Sequence, residues 1–457
     1  MCISSAAKPD FYFNADKLHL MLSQFTLAER DEWWTTWLQD KYEGYNKTNS
    51  VKRLIDWAWN EHDKSHLENE SVRLAAIMLG WLLTSSNRYL RDAATKALVC
   101  LLEERIEVLI EVLRAFEGVN DPYVYERAYA VAYGCTLRTS NQNSLKELSE
   151  YIYETVFNKK EVYPHVLMRD YARGVIEYAL HLNLKPEVDI KKVRPPYESY
   201  LPSSFPSIEE IDGCYQPEDH HYGSEEWGAT VILNSMTTEY GRGTCRYGDF
   251  GRYVFQSAFK NWEVDYNGLS NFAIQRIFEL GYDPKIFTQF DSEQHNSVHK
   301  ERIGKKYQWM VFHELLAKVA DNCKLHDGSR WGTEKKYRTY DGPWEPYIRD
   351  IDPTITIKDT LKELYSDDFK PWPWWIKETY DNWNVEPDVW LKRNSDLPSL
   401  EKLLVIKDKE GTEWVNLDIA MEWKEPKKLG ESHWSAFGKR IYYYVGCLLY
   451  TSDAADD

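Results

Sequence analysis

No nucleotide-binding loop of the G-x-x-x-x-G-K-[ST] or G-x-G-x-x-G kind occurs in the 457 residues, so no residue is assigned to phosphate by motif. C-x-x-C pairs are absent too. The seven cysteines (Cys2, Cys100, Cys135, Cys214, Cys245, Cys323 and Cys447) are scattered. An odd, unpatterned set fits a reducing compartment rather than a disulfide framework. His313-Glu314 lacks the second histidine of H-E-x-x-H, since position 317 is Ala, and the pair is expected to be exposed or capping. The N-terminus has no basic region leading into an apolar run, so no signal peptide is read there. No apolar run reaches the roughly 18 residues that would span a bilayer. Positive charge is short as well: 56 Lys and Arg face 73 Asp and Glu, giving a formal net charge of −17 with no locally basic stretch. Such a chain repels nucleic acid and anionic membrane. A soluble cytoplasmic protein is expected.

What is abundant is aromatic: 19 Trp and 32 Tyr. These bury large areas, so a core rich in Trp and Tyr is the plain reading, with an aromatic groove for a peptide, sugar or base as its rival. The rest is helical pattern. Residues 91–98 (RDAATKAL), 127–134 (RAYAVAYG) and 169–176 (RDYARGVI) each carry Arg, then Ala three positions on, then apolar residues at helical spacing. Arg91 to Arg127 is 36 residues and Arg127 to Arg169 is 42. A period of roughly 40 with two helices per unit is the spacing of HEAT and armadillo arrays, in which stacked hairpins share the core that one hairpin cannot bury alone. The fold expected is mainly α: a HEAT/armadillo-like α-α solenoid, then an irregular aromatic-rich helical region and a β-containing end. Arg91, Arg127 and Arg169 are expected as structural repeat positions, with Asp92 and Asp170 as their partners.

In order, residues 1–66 form an N-terminal helical cap, with a capping box at Thr26 and Glu29 and with Trp33, Trp34 and Trp37 on one face. Residues 67–184 hold the repeats, and Pro122 suits a first helical turn. Residues 185–206 read as a Pro-rich linker and domain boundary. Residues 207–395 are less regular. The Gly- and Arg-rich stretch 241–252 could cradle a phosphate but reads more simply as a loop. Cys214, His220, His221 and Cys245 contain zinc-ligand types without a zinc spacing, so no metal site is assigned. In the helix from Ile303, the residues Tyr307, Met310, Val311, Leu315 and Val319 trace an apolar stripe. Trp344, Trp372, Trp374, Trp375, Trp383 and Trp390 stand among prolines and acids, as in a segment wrapping a surface. Residues 396–446 read as strand, turn, strand. Glu422-Trp423-Lys424 there, with Asp408 or Asp418 upstream, matches the loose E-x-K half of a PD-(D/E)xK nuclease, in which carboxylates hold Mg²⁺ and a lysine helps activate water.

Residues 447–457 resemble the translation of a sequencing adapter, so the natural protein is expected to stop near Gly446 and to be a fragment of a longer one. Residues 53–59 (RLIDWAW), 83–92 (LTSSNRYLRD), 119–124 (VNDPYV), 130–135 (AVAYGC) and 303–309 (IGKKYQW) resemble segments in the helical region of large bacterial STAND-type NTPases of the AVAST antiphage kind. That resemblance implies a sensing or scaffolding part of a defence protein that recognises a phage protein, with self-association in the full-length chain. ATP would belong only to an upstream domain, since this chain has no Walker A sequence. The function expected is non-catalytic, a helical-repeat module binding a protein partner with no cofactor of its own. The alternatives are a metal-dependent nuclease beginning near residue 400 and a purely structural inter-domain scaffold.

Overall fold

The computed structural model of the chain describes residues 3–39, 41, 49–60, 63–219, 221, 223–242, 248–293, 301–326, 336–342, 351–354 and 356. Beyond these it describes the strands at 405–407, 413–415, 419–424 and 440–445. Contacts divide the chain into one unit of Met1–Thr356 and another beginning at Ile357.

The first unit is helical because its helices are well capped and mostly apolar on at least one face. Asn14 caps α1 (Ala15–Leu22). The Thr26–Glu29 capping box is present and opens α2 (Leu27–Arg30). A π-helical turn, Asp31–Thr35, leads on to α3 (Thr36–Gln39). The tryptophans expected on one face stay together there, Trp34 stacking on Trp37 with ring centres 5.5 Å apart and meeting Trp33 edge-on at 6.1 Å, but they differ in burial. Trp34 is buried and donates its indole N–H to Trp81 O at 3.0 Å, whereas Trp33 and Trp37 are exposed. Next come α4 (Ser50–Trp59), α5 (Asn69–Leu82), α6 (Arg88–Leu102) and α7 (Ile106–Phe116). Asp121 caps α8 (Pro122–Arg138), with Pro at the first helical position. They are followed by α9 (Gln142–Ile152), a π-helical turn at Tyr153–Phe157, and α10 (Val166–His181).

These helices stack in two rows. One row is α4, α6, α8, α10, each packed on the next, and the other is α5, α7, α9. The pairs α5/α6, α7/α8 and α9/α10 join the rows. Small residues set the spacing. A Cβ on Gly174 of α10 would fall 2.6 Å from the Tyr133 ring of α8, so glycine is what lets these helices approach.

The Pro-rich stretch lies inside this unit and packs on it. It contains α11 (Ile190–Val193), Val193 is buried, and Tyr197 stacks on Phe157 with ring centres 5.8 Å apart. The contact boundary falls at 356/357 instead. Further on are α12 (Ile208–Tyr215), α13 (Trp227–Ser235) and a π-helical turn at Phe250–Phe255. α14 (Gln256–Phe259), α15 (Tyr266–Glu279), α16 (Pro284–Glu293) and α17 (Ile303–Asn322) complete the helices. α17 packs against α10, α15 and α16, and so is buried well beyond one stripe: Lys306, Gln308 and Phe312 are inside along with Tyr307, Met310 and Val311. β1 (Leu325–His326) pairs antiparallel with β2 (Tyr337–Arg338).

In the second unit, β3 (Val405–Lys407) pairs antiparallel with β4 (Glu413–Val415), and β5 (Ile419–Lys424) with β6 (Arg440–Val445). The run 441–445 is a paired strand. Among the described residues, no helix is long and apolar enough to cross a membrane.

Candidate functional site

The repeat arginines anchor turns and neighbouring helices. Arg91 donates to Ser85 O at 2.7 Å, tying α6 to the turn before it, and its guanidinium lies 4.3 Å from the centre of the Tyr123 ring. Arg127 of α8 donates to Asp92 of α6 at 2.6 Å, joining successive helices of one row as the repeat pattern suggests. Arg169 differs from expectation. It holds Tyr163 O at 2.8 Å and Val162 O at 2.6 Å, and its carboxylate partner is Asp321 of α17 at 2.9 Å. Asp170 instead faces Arg173 at 3.5 Å. Adjacent residues on a helix point about 100° apart, so Asp170 is poorly placed to pair with Arg169.

A second polar cluster has no local sequence signal. Lys306 of α17 donates to Asp31 at 2.7 Å and Asp121 at 3.3 Å, and Arg30 lies 4.0 Å from Asp121. All four side chains are fully buried. Thr35 Oγ1 adds a bond to Asp31 at 2.6 Å, and Arg30 also holds Leu22 O and Phe25 O. This cluster bolts the cap and α17 to the start of α8.

A third cluster lies one step along α17. Glu126 of α8, His165 at the start of α10 and His313 of α17 are all buried, and one ligand-capable atom from each lies within 4.8 Å of the others. The Met168 N–H donates to His165 Nδ1 at 3.3 Å, which places the ring proton on Nε2, 3.8 Å from Glu126 Oε2. Burial, with His313 and Arg169 nearby, holds the His165 pKa well below its usual value, so the ring is neutral. His313 is therefore no surface residue: its ring lies 5.0 Å from His165 and stacks on Trp309. Glu314 pairs with Lys318 at 2.7 Å and with Arg276 at 3.4 Å. The centrality of α17 is what overturns the exposed reading of His313-Glu314.

Across the row α10–α8–α6–α4 lies a strap made by residues 351–354 and 356. Tyr171 of α10 donates its hydroxyl to Ile351 O at 2.7 Å. Pro353 sits on Gly134 of α8, where an added Cβ would fall 2.8 Å from Pro353 O. Thr356 bonds the Cys100 side chain of α6, and its carbonyl accepts the Trp59 indole N–H of α4 at 2.6 Å. Asp352 turns the strap by accepting from Thr354 N and Oγ1.

Two cavities accompany these features. One of about 270 Å³ is lined by Trp227, Asp249, Tyr282, Asp291, Arg302 and Lys305, among others. Asp291 there accepts from Ile303 N at 2.5 Å and Gly304 N at 2.9 Å, so the chain's own carboxylate fills the N-terminus of α17. Burial pushes Asp291 up to about 6. The other cavity, about 230 Å³, borders His165, Tyr163, Arg276, Met310 and Glu314.

The remaining sequence candidates fall only partly among the described residues. Arg242 pairs with Asp212 at 2.5 Å, residues 243–247 lie outside the described ones, and the chain is helical from Asp249. Cys214 is exposed and His221 bonds Asp219 at 2.8 Å, while His220 and Cys245 lie outside the described residues. Glu422 and Lys424 belong to β5, with Lys424 opposite Arg440, and Asp408 and Asp418 lie outside the described residues. So do Trp344, Trp372, Trp374, Trp375, Trp383 and Trp390. Comparison with known proteins gives no match to a family model, a curated protein or a solved structure.

Proposed function

We propose that the chain is a non-catalytic, cytoplasmic helical-repeat scaffold of the HEAT/armadillo kind whose row of helices grips polypeptide and recognises a protein partner. The observation that carries this reading is the strap. Residues from four successive helices of one row (Tyr171, Gly134, Cys100 and Trp59) meet a single short segment laid across them. Stacked helical pairs present long surfaces of this kind for partner chains. The resemblance to the helical region of STAND-type antiphage proteins agrees with a sensing role.

The strap also supports a second reading. It leads directly into the unit that begins at Ile357, so the row would tether two parts of one chain. One comparison separates the two. In the full chain, Trp59→Phe with Tyr171→Phe removes both hydrogen bonds to strap carbonyls. If the row receives a partner, capture of candidate phage proteins rises several-fold in this variant. Unchanged capture, with only a lower unfolding temperature, favours the tether. No capture by either protein at micromolar concentration rejects partner recognition.

A further inference from the structure

We propose that Glu126, His165 and His313 form a binding site for a divalent transition metal of the zinc class. Two imidazoles and a carboxylate are a ligand set suited to such ions. They come from α8, the start of α10 and α17, so the set is held by three packed helices rather than by a loop. His165 is 1% exposed, and its Nε2 has no hydrogen-bond partner although it points toward Glu126. A buried imidazole N–H with no acceptor in reach is unsatisfied, and a metal ion taking the place of that proton on Nε2 removes the deficit.

The geometry also states the cost. Ligand atoms within 4.8 Å must close to about 3.4 Å around a tetrahedral ion with bonds of ~2.1 Å, a movement that ring rotation can supply. A metal on His165 Nε2 moves the ring proton to Nδ1. The Met168 N–H then loses its acceptor at 3.3 Å and faces the Nδ1–H, so the two donors must turn apart. No proton leaves the ring in this exchange. Of the three, His165 also borders the cavity walled by Tyr163 and Glu314.

The test uses the full chain, stripped with a chelator and reloaded with Zn²⁺, then passed through gel filtration. One zinc per chain is expected, with X-ray absorption giving two imidazole nitrogens and one carboxylate oxygen at ~2.0–2.1 Å. His313→Gln and Glu126→Gln should each weaken zinc binding at least tenfold, while His221→Ala, which removes an exposed imidazole, should not. Less than a tenth of an equivalent retained by folded wild-type protein would overturn the proposal. So would a sulfur-containing or oxygen-only shell, or binding lost with His221 instead. The absorption result is obtained on wild-type protein and holds even if the variants fail to fold.

Discussion

Replacing Lys306 by Met should be among the most damaging single changes in the helical unit. The ammonium touches two carboxylates, Asp31 at 2.7 Å and Asp121 at 3.3 Å, and every partner is fully buried. At an effective dielectric near 20, unit charges ~3 Å apart attract by about 5 kcal/mol, most of it cancelled by desolvation. Removing only the cation leaves that desolvation uncompensated. Asp121 keeps Arg30 at 4.0 Å, but among the described residues Asp31 keeps no other cation within ion-pair distance, only groups such as the Thr35 hydroxyl. The expected loss is about 3–5 kcal/mol, two to three and a half decades in the folding constant. With a slope of a few kcal/mol per molar, the urea midpoint should fall by roughly 1 M. The decisive assay is a double-mutant cycle. Asp31→Asn with Lys306→Met removes the stranded charge and should cost clearly less than the two single losses added together. A Lys306→Met loss below about 1 kcal/mol, or strict additivity, would refute the account of a buried, mutually dependent cluster.

Gly134→Ala should expel the strap, because its Cβ would meet the Pro353 carbonyl at 2.8 Å; limited proteolysis should then cut near residues 351–354 much faster. Arg169→Lys should cost about 2–4 kcal/mol by urea unfolding, since an ammonium cannot hold Tyr163 O, Val162 O and Asp321 together. Asp291→Asn tests a pH effect. The folded carboxyl titrates at about 6, above its usual range, so the fold binds that proton more tightly than the unfolded chain does. Its stabilising contribution is complete below pH ~4 and is lost as pH rises through about 6. Relative to wild type, the variant should therefore gain on the order of 2 kcal/mol between pH 4 and 7, and a flat difference would contradict this.

Local chemistry was readable in the sequence where it acts within one or two turns. The helix Arg88–Leu102 follows from its Asn87 cap, α8 from Asp121-Pro122, and α2 from the Thr26–Glu29 box. The pairing of Arg127 with Asp92 is legible because both stand at positions that the aligned repeats single out. Partners supplied from far along the chain leave no such mark. Asp321 reaches Arg169 across 152 residues, and Lys306 reaches Asp31 across 275. The strap too was invisible, since residues 351–356 have no periodicity to say what they cover. The blocks around Arg91, Asp121 and Lys306 nevertheless stand out as words. The structure shows them meeting: Arg91 and Lys306 both lie over the Tyr123 ring, next to Asp121.

The polar residues of α17 explain why its periodicity misleads. Lys306, His313 and Asp321 are spaced by seven and eight residues, about two turns each, and so form one stripe. On an isolated helix such a stripe reads as the wet face. Here every member meets the repeat helices or the cap: Lys306 meets Asp31 and Asp121, His313 meets His165, and Asp321 meets Arg169. Asp321 also accepts from Tyr197 N and Ser199 Oγ, so the Pro-rich stretch closes on the same seam. An apolar seam would tolerate sliding by a turn, because most greasy contacts can be replaced by others. A polar one does not. A slip of one turn, ~5.4 Å, would leave Lys306 and Asp321 buried without their partners, at about 3–5 kcal/mol for each broken pair. The register of α17 against the array is thus fixed by charge, and with it the placing of the histidine cluster.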